Sequence, residues 1–404
     1  MSFEIQTIIE TKSCLQCGVF FDITDKDLEF YEKVSPTFGG KKYAIPSPTL
    51  CPECRQQRRL VWRNERKLYK RKCDATGKDM ISMYSPDTSY TVYDQTFWWS
   101  DKWDPLAYGK DIDITSSILS QFHNINIAIP QVNLLNQNSQ NSPYSNYESD
   151  EKDCYLTVGG HWNENCMYGN YYIKSKDSVD NYWLFDSSMC YECINSYDLY
   201  KCSYMMNSRQ SRNCYLGYDL VDCSDCFGCT GLRNKRFCIF NKQYSQQDYY
   251  NEYERLRALN LQEQKALMRK VSMEVCRKNL NLGFSQNCVG DEIFHSQNIL
   301  HSFQIEDFDT CKYGTIVGMG KNCMDVSNIG RIEMSYESAH GGLEGYKNVF
   351  SVLCYGCKNI FYAYNCHNSS DLFLCIGLRN KQYCILNKQY SKEEYEELVP
   401  KIIE

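Results

Sequence analysis

Apolar and polar positions in the C-terminal two thirds of the chain keep a fixed beat. Cys190, Cys202, Cys214, Cys226 and Cys238 stand 12 positions apart, and the same step separates Cys154/Cys166, Cys276/Cys288, Cys311/Cys323 and Cys354/Cys366. Ile299, Val349 and Ile360, each preceded by Asn, are apolar positions without cysteine that suit the same pattern. Short units repeated at a fixed period cannot bury an apolar side alone and must stack on their neighbours. Each step leaves room for about four or five extended residues and a polar turn, so two steps make a rung of about 24. The expected fold is mainly β: a cysteine-rich β-solenoid of 12-residue half-rungs with two stacked parallel sheets, a meander of antiparallel hairpins being the rival. Asp153, Asn165, Asn213, Asp225, Asn287, Asn322, Asn359 and Asp371 precede the repeating residue, where Asn and Asp tolerate the left-handed conformation of a tight turn.

The repeats come in two copies. Gly231 to Ser245 returns as Gly377 to Ser391 with differences at 236/382, 237/383 and 240/386 only. Each copy ends on a capping-box layout, Ser245 before Asp248 and Ser391 before Glu394. A helical region to about 275 is predicted after the first copy, and a short helix Glu393 to Glu397 closing near Pro400 after the second. The polar run 133–149 reads as a boundary. The expected divisions are 1–72, an aromatic-rich linking region 73–149, and repeat halves 150–275 and 276–404.

At the other end the chemistry is different. Cys14-Leu-Gln-Cys17 and Cys51-Pro-Glu-Cys54 are two C-x2-C pairs flanking a 33-residue spacer. Two such knuckles bring four thiolates to tetrahedral distance around one structural Zn2+. The spacer is long enough to require its own hairpin or helix, with Gly39-Gly40 as a turn. Overlaid on the repeats are further C-x2-C pairs, Cys190/Cys193, Cys226/Cys229 and Cys354/Cys357. In a regular strand these would face opposite sides, so buried thiols are expected there, with metal as the alternative.

Cys14-x-x-Cys17-Gly18-x-Phe20-Phe21, then Phe30-Tyr31-Glu32-Lys33, then Cys51-Pro-Glu-Cys54-Arg55-x-x-Arg58 resembles a small zinc-ribbon family found as an appended module. The likeness runs from the start of the chain to about position 60 and implies Cys14, Cys17, Cys51 and Cys54 as zinc ligands, and no activity. The segment from Ser35 to Ile45 departs from the family pattern as an insertion. The whole chain also resembles cysteine- and tyrosine-rich repeat proteins of candidate-phylum bacteria, which implies no function.

Charge adds a second candidate. Residues 55–72 carry Arg55, Arg58, Arg59, Arg63, Arg66, Lys67, Lys70, Arg71 and Lys72 against Glu65, a local +8 in a chain of net charge −6. With no Gly or Pro in the stretch, one basic helix is predicted. It is either a phosphate-binding surface, with RNA or a ribonucleoprotein as partner, or a face docked on the acidic remainder of the chain. Phe97, Trp98, Trp99 and Trp103 fit a packed core or a base-stacking surface. Asp177, Asp180 and Asp186, or Asp219, Asp222 and Asp225, are the acids a carbohydrate-active solenoid would need. The start, MSFEIQTIIETKSC, lacks the layout of an export signal, and no run has the length of a membrane helix, so a cytoplasmic protein with reduced cysteines is expected. The expected function is a non-catalytic zinc-containing nucleic-acid-binding protein. The alternatives are a protein-interaction scaffold with a purely structural zinc ribbon and a solenoid enzyme.

Overall fold

The computed structural model describes residues 6–404 except 312–314, 322, 328, 337–339 and 342–344. The protein is mainly β, with two large sheets and several two-stranded ones. It divides into two compact units, one of Met1–Asn64, Ser89–Gln131 and Leu280–Glu404, the other of Glu65–Thr88 and Val132–Asn279. The region 73–149, expected as one segment, therefore contributes to both.

In the unit containing Val132–Asn279 the repeats pair in parallel at a constant step. Tyr155 lies beside Met167, Tyr182 beside Ile194, and Cys226 beside Cys238. Each residue thus meets its equivalent in the next repeat, and the return expected after two steps is replaced by a return after one. Backbone conformation supplies the reason. From Tyr147 to Phe240 every third residue has positive φ, as in Asp150, Asp153, Leu156, then Trp162, Asn165, Tyr168 and Tyr171. The residue that follows is buried, as at Cys154, Thr157, Cys166, Tyr172, Cys190 and Cys193. A left-handed residue at each third position bends the extended chain so often that a single step brings it alongside itself. Asp153, Asn165, Asn213, Asp225, Asn287, Asn359 and Asp371 all adopt the left-handed conformation expected of them, and Asn322 lies outside the described residues. Strands Ile194–Tyr200, Ser203–Met206, Arg209–Arg212, Tyr215–Tyr218 and Ser224–Phe227 pair so as to close a parallel ring.

Hydrogen-bond accounting explains the cysteines. In each triplet the left-handed residue's N–H meets a carbonyl of the preceding repeat, as Asp153 to Gln140 at 2.9 Å. The N–H second in line after it meets a carbonyl of the following repeat, as Tyr155 to Cys166 at 3.0 Å. The buried residue between them has its own N–H left over and needs a side-chain acceptor one repeat earlier. Ser142 accepts from Cys154 N at 2.9 Å, Asn181 from Cys193 N at 2.7 Å, and Ser187 from Leu199 N at 2.9 Å. A thiol does the same at Asn241, whose N–H group has its nitrogen 3.4 Å from Cys229 Sγ. Thiols also donate: Cys202 Sγ lies 3.4 Å from the carbonyl oxygens of both Tyr200 and Ser211. Small side chains with a polar γ atom fit this position, and the cysteines there are free and buried.

The period of three also corrects the C-x2-C expectation. Cys190/Cys193, Cys226/Cys229 and Cys354/Cys357 do not face opposite sides; both members of each pair are buried.

The duplicated segment Gly231–Ser245 ends the array. Strand Arg236–Ile239 turns into an antiparallel partner, Lys242–Gln243, which stops the parallel addition. Asn241 holds this turn, accepting from Thr230 N at 2.9 Å and donating to Thr230 O at 2.8 Å. Helices Gln246–Arg257 and Leu261–Glu274 follow, with Ser245 as the first N-cap and Asn260 as the second.

The other unit repeats this ending. Strands from Lys358 to Ile385 again pair at the same step, whereas the step is one position shorter at Leu282/Ile293 and one longer at Ile332/Gly345. Asn387 takes the place of Asn241, accepting from Ile376 N at 2.8 Å and donating to Ile376 O at 2.7 Å. The final helix, Lys392–Ile403, begins at the Ser391 capping box and continues through Pro400 rather than closing there. Trp98, Trp99 and Trp103 pack in this unit. Trp98 is 1 % exposed and donates Nε1–H to Pro130 O at 3.0 Å, and the Arg379 guanidinium lies 5.3 to 5.9 Å from the three rings. These indoles pack against one another and against Arg379, and Trp99 keeps an exposed edge.

Candidate metal centre and basic surface

The first knuckle sits on a hairpin. Strands β1 (Ile8–Ser13) and β2 (Phe20–Thr24) pair with Ser13 opposite Phe20. Between them Cys14 N donates to Val19 O at 2.9 Å and Gly18 N to Cys14 O at 2.9 Å, with Gly18 at φ +76° where a side chain would be strained. The spacer holds both kinds of expected element: helix α1 (Asp25–Val34), opened by the Thr24/Asp27 capping box, and a tight hairpin at Gly39-Gly40. Cys51 is the N-cap of α2 (Pro52–Leu60), with Pro52 in its first turn. Leu15 N donates to Thr49 O at 3.1 Å, tying the two knuckles together.

Cys14, Cys17, Cys51 and Cys54 converge with all four Sγ atoms within 4.8 Å of one another. Cys17 Sγ and Cys51 Sγ are 3.7 Å apart. Tetrahedral coordination at the usual Zn–S length of about 2.3 Å requires S···S separations of about 3.8 Å, so the donor set fits a thiolate-preferring metal ion. Among the described residues this is the one such group of three or more Cys, His, Asp or Glu. Burial raises the Cys14 thiol, but the amides of Cys51, Cys17 and Gln16 outweigh it and bring it down to about 6. Burial pushes Cys51 and Cys54 up, and the neighbouring thiols add to this at Cys54. Cys14 is thus prepared as a thiolate, and Cys51 and Cys54 give up their protons in exchange for a cation.

The basic stretch is not one helix. It starts as α2, ends that helix at Leu60, and re-forms as strand Tyr69–Lys72 paired with Asp79–Ser82. Arg55 and Arg59 are buried, 2 % and 4 % exposed. Arg55 Nε and Nη2 each lie 3.0 Å from Asp325, one per carboxylate oxygen, and Arg59 Nη1 lies 3.8 Å from the same group. Burial works against the Arg55 charge, and Asp325 more than restores it. These two arginines are therefore removed from any nucleic-acid surface by internal docking. Arg63 is half-buried, and the Arg71 side chain is largely covered, with Asp74 at 3.0 Å. Arg58, Arg66, Lys67, Lys70 and Lys72 are exposed. Sequence reasoning missed Asp325 because it lies 270 residues from Arg55.

Asp177, Asp219 and Asp225, three of the six acids considered for catalysis, have partners of their own. Asp219 pairs with Arg233 at 2.8 Å and Lys278 at 2.9 Å, Asp225 with Arg236 at 3.2 Å, and Asp177 accepts from Asn165 Nδ2 at 2.7 Å. No helix among the described residues is long and apolar enough to cross a membrane. No family model and no curated protein matches the chain, so the zinc-ribbon resemblance stands on its own residues.

Proposed function

We propose that the chain is a non-catalytic zinc-containing protein that binds nucleic acid, RNA or a ribonucleoprotein, and carries a β-solenoid scaffold wound at one repeat step per turn. The observation supporting the first part is the division of labour within residues 55–72. Two buried arginines lock α2 onto Asp325, and Arg58 is exposed on that fixed helix. In the other unit Arg66, Lys67, Lys70 and Lys72 are exposed on and before a paired strand. Cations held by folded elements release phosphate counterions without first being ordered. Zinc is the ion proposed for the four thiols, from their number and spacing. The solenoid reading rests on the constant parallel step and the left-handed residue at every third position.

The test is fluorescence anisotropy with labelled single-stranded and structured RNA. Replacing Arg58, Arg66, Lys70 and Lys72 by Glu weakens binding at least tenfold and leaves zinc content at one per chain. Unchanged affinity refutes the assignment.

A protein-interaction scaffold is favoured by a different observation: Leu15, Phe20 and Val61, in the unit that holds α2, are 79 %, 74 % and 81 % exposed. That reading predicts a protein partner lost on Phe20→Ser and no salt-dependent RNA binding.

A further inference from the structure

The repeat interior of residues 132–279 is lined mainly by Cys, Ser and Leu, but near its start it holds two acids. Glu148 and Glu151 are 3 % and 1 % exposed. They are successive buried positions of a single repeat. We infer that they form a buried site for one oxygen-preferring divalent cation of the calcium type.

The first support is what the carboxylates lack. Oε1 of Glu148 and Oε1 of Glu151 are each buried without a hydrogen-bond partner. No ion pair among the described residues reaches either side chain. Two buried acids with no basic partner are costly as bare anions. Protonation removes the charge but leaves hydroxyl donors that must still find acceptors. A dication meets both needs at once.

The second support is the surrounding donor set. Thr157 Oγ1 lies 3.3 Å from Glu151 Oε2 and 2.9 Å from Ser145 Oγ. Ser139 Oγ is a further buried oxygen without a partner. Together with the four carboxylate oxygens, these hydroxyls would supply the six to eight oxygens that calcium takes. Hydroxyl and carboxylate donors select calcium, magnesium or manganese over zinc, and a dry interior disfavours magnesium, which keeps its waters. Asn163 Nδ2, 3.4 Å from Glu148 Oε2, holds the first carboxylate in place.

The third support is the absence of a side chain beside Glu148. Residue 160, the equivalent of Glu148 in the next repeat, is glycine, and a Cβ there would stand 2.8 Å from Glu148 Oε2 and 2.2 Å from Tyr172 O. Burial raises Glu148 well above the ordinary carboxylate range, and the nearby Glu151 adds to this; burial raises Glu151 as well. A bound cation reverses that bias.

The experiment counts metals in the full-length protein after desalting into calcium-free buffer, and repeats the count after incubation with Ca2+ or Tb3+, the latter read by tyrosine-sensitised luminescence. The wild type retains one Ca2+ per chain in addition to zinc. Glu148→Gln and Glu151→Gln lose the calcium and the terbium signal, with zinc unchanged. Hydrogen exchange over residues 145–166 of the wild type slows when Ca2+ is added, a readout that needs no variant. A wild type that binds no Ca2+ or Tb3+ and shows no change in exchange overturns the inference and identifies a protonated acid pair. Ions retained equally by both variants place the site elsewhere and overturn it too.

Discussion

Replacing Asp325 by Asn removes one negative charge from a site where two guanidiniums meet it. Asp325 is fully buried, Arg55 binds it through two hydrogen bonds of 3.0 Å, and Arg59 lies 3.8 Å away. The third arm of Arg55 donates to Leu50 O at 2.7 Å, so the guanidinium cannot swing to water without breaking that bond as well. Breaking a buried pair by removing one partner costs about 3–5 kcal/mol, and because Asn keeps one acceptor the lower end applies, about 3 kcal/mol. The effect is local, so the assay is hydrogen exchange of α2 in zinc-loaded protein. A loss of about 3 kcal/mol accelerates exchange of its C-terminal amides about 100-fold, at about 1.4 kcal/mol per factor of ten. Salt hardly moves the difference, since a buried pair is weakly screened. Arg55→Leu costs less than Asp325→Asn, because Asp325 then still faces Arg59. Protection of α2 unchanged in Asp325→Asn, or a larger loss in Arg55→Leu, refutes the internal-docking account of the two buried arginines.

His367 packs on Trp99 at 4.6 Å with Asn365 Oδ1 2.9 Å from its Nε2; burial lowers it, Arg379 adds to this, and it titrates at about 4. Its folded value lies below the unfolded one of about 6.5, so its contribution of up to about 3 kcal/mol is full above pH 6.5 and is lost as pH falls towards 4. Urea unfolding across that range shows a steeper acid loss in wild type than in His367→Gln. Asn387→Ala leaves Ile376 N, Ile376 O and Pro105 O without their partner and costs about 2–4 kcal/mol, read as faster exchange at Ile376, while Asn387→Asp recovers only the accepting bond. Cys202→Ser stays within about 1 kcal/mol of wild type in thermal unfolding, because Ser178 already fills an equivalent position two repeats earlier. Cys202→Val costs about 1–3 kcal/mol by overpacking.

The repeat beat and the left-handed turns were legible because cysteine, Asn and Asp mark them directly. The period of three inside the beat was not, since Leu156, Tyr168 and Trp183 also adopt positive φ although nothing in their side chains favours it. The clue was present in Ser178, which stands in the cysteine column and points to an acceptor role rather than to apolar filling. The duplicated Gly-Leu-Arg-Asn-Lys segment was visible as a repeat, but its purpose as the end of each array depends on Asn241 and Asn387 bridging back to Thr230 and Ile376. The four-thiol site was readable from spacing alone, because ligand chemistry dictates that spacing. The basic stretch misled in form: residues 61–68 contain no helix breaker, yet α2 ends at Leu60 and the chain re-forms as a paired strand.

The central claim is that exposed cations on folded elements engage a phosphate backbone, and the dependence of RNA affinity on salt tests it most directly. Contacts by Arg66, Lys67, Lys70 and Lys72, all of one unit, to a single strand give a slope of log K against log salt of up to about −2.8. The account predicts a slope between about −2 and that value for the zinc-loaded wild type, reduced by about 0.7 for each of these residues replaced by Gln. Absence of binding at low ionic strength, or a slope near zero, contradicts it.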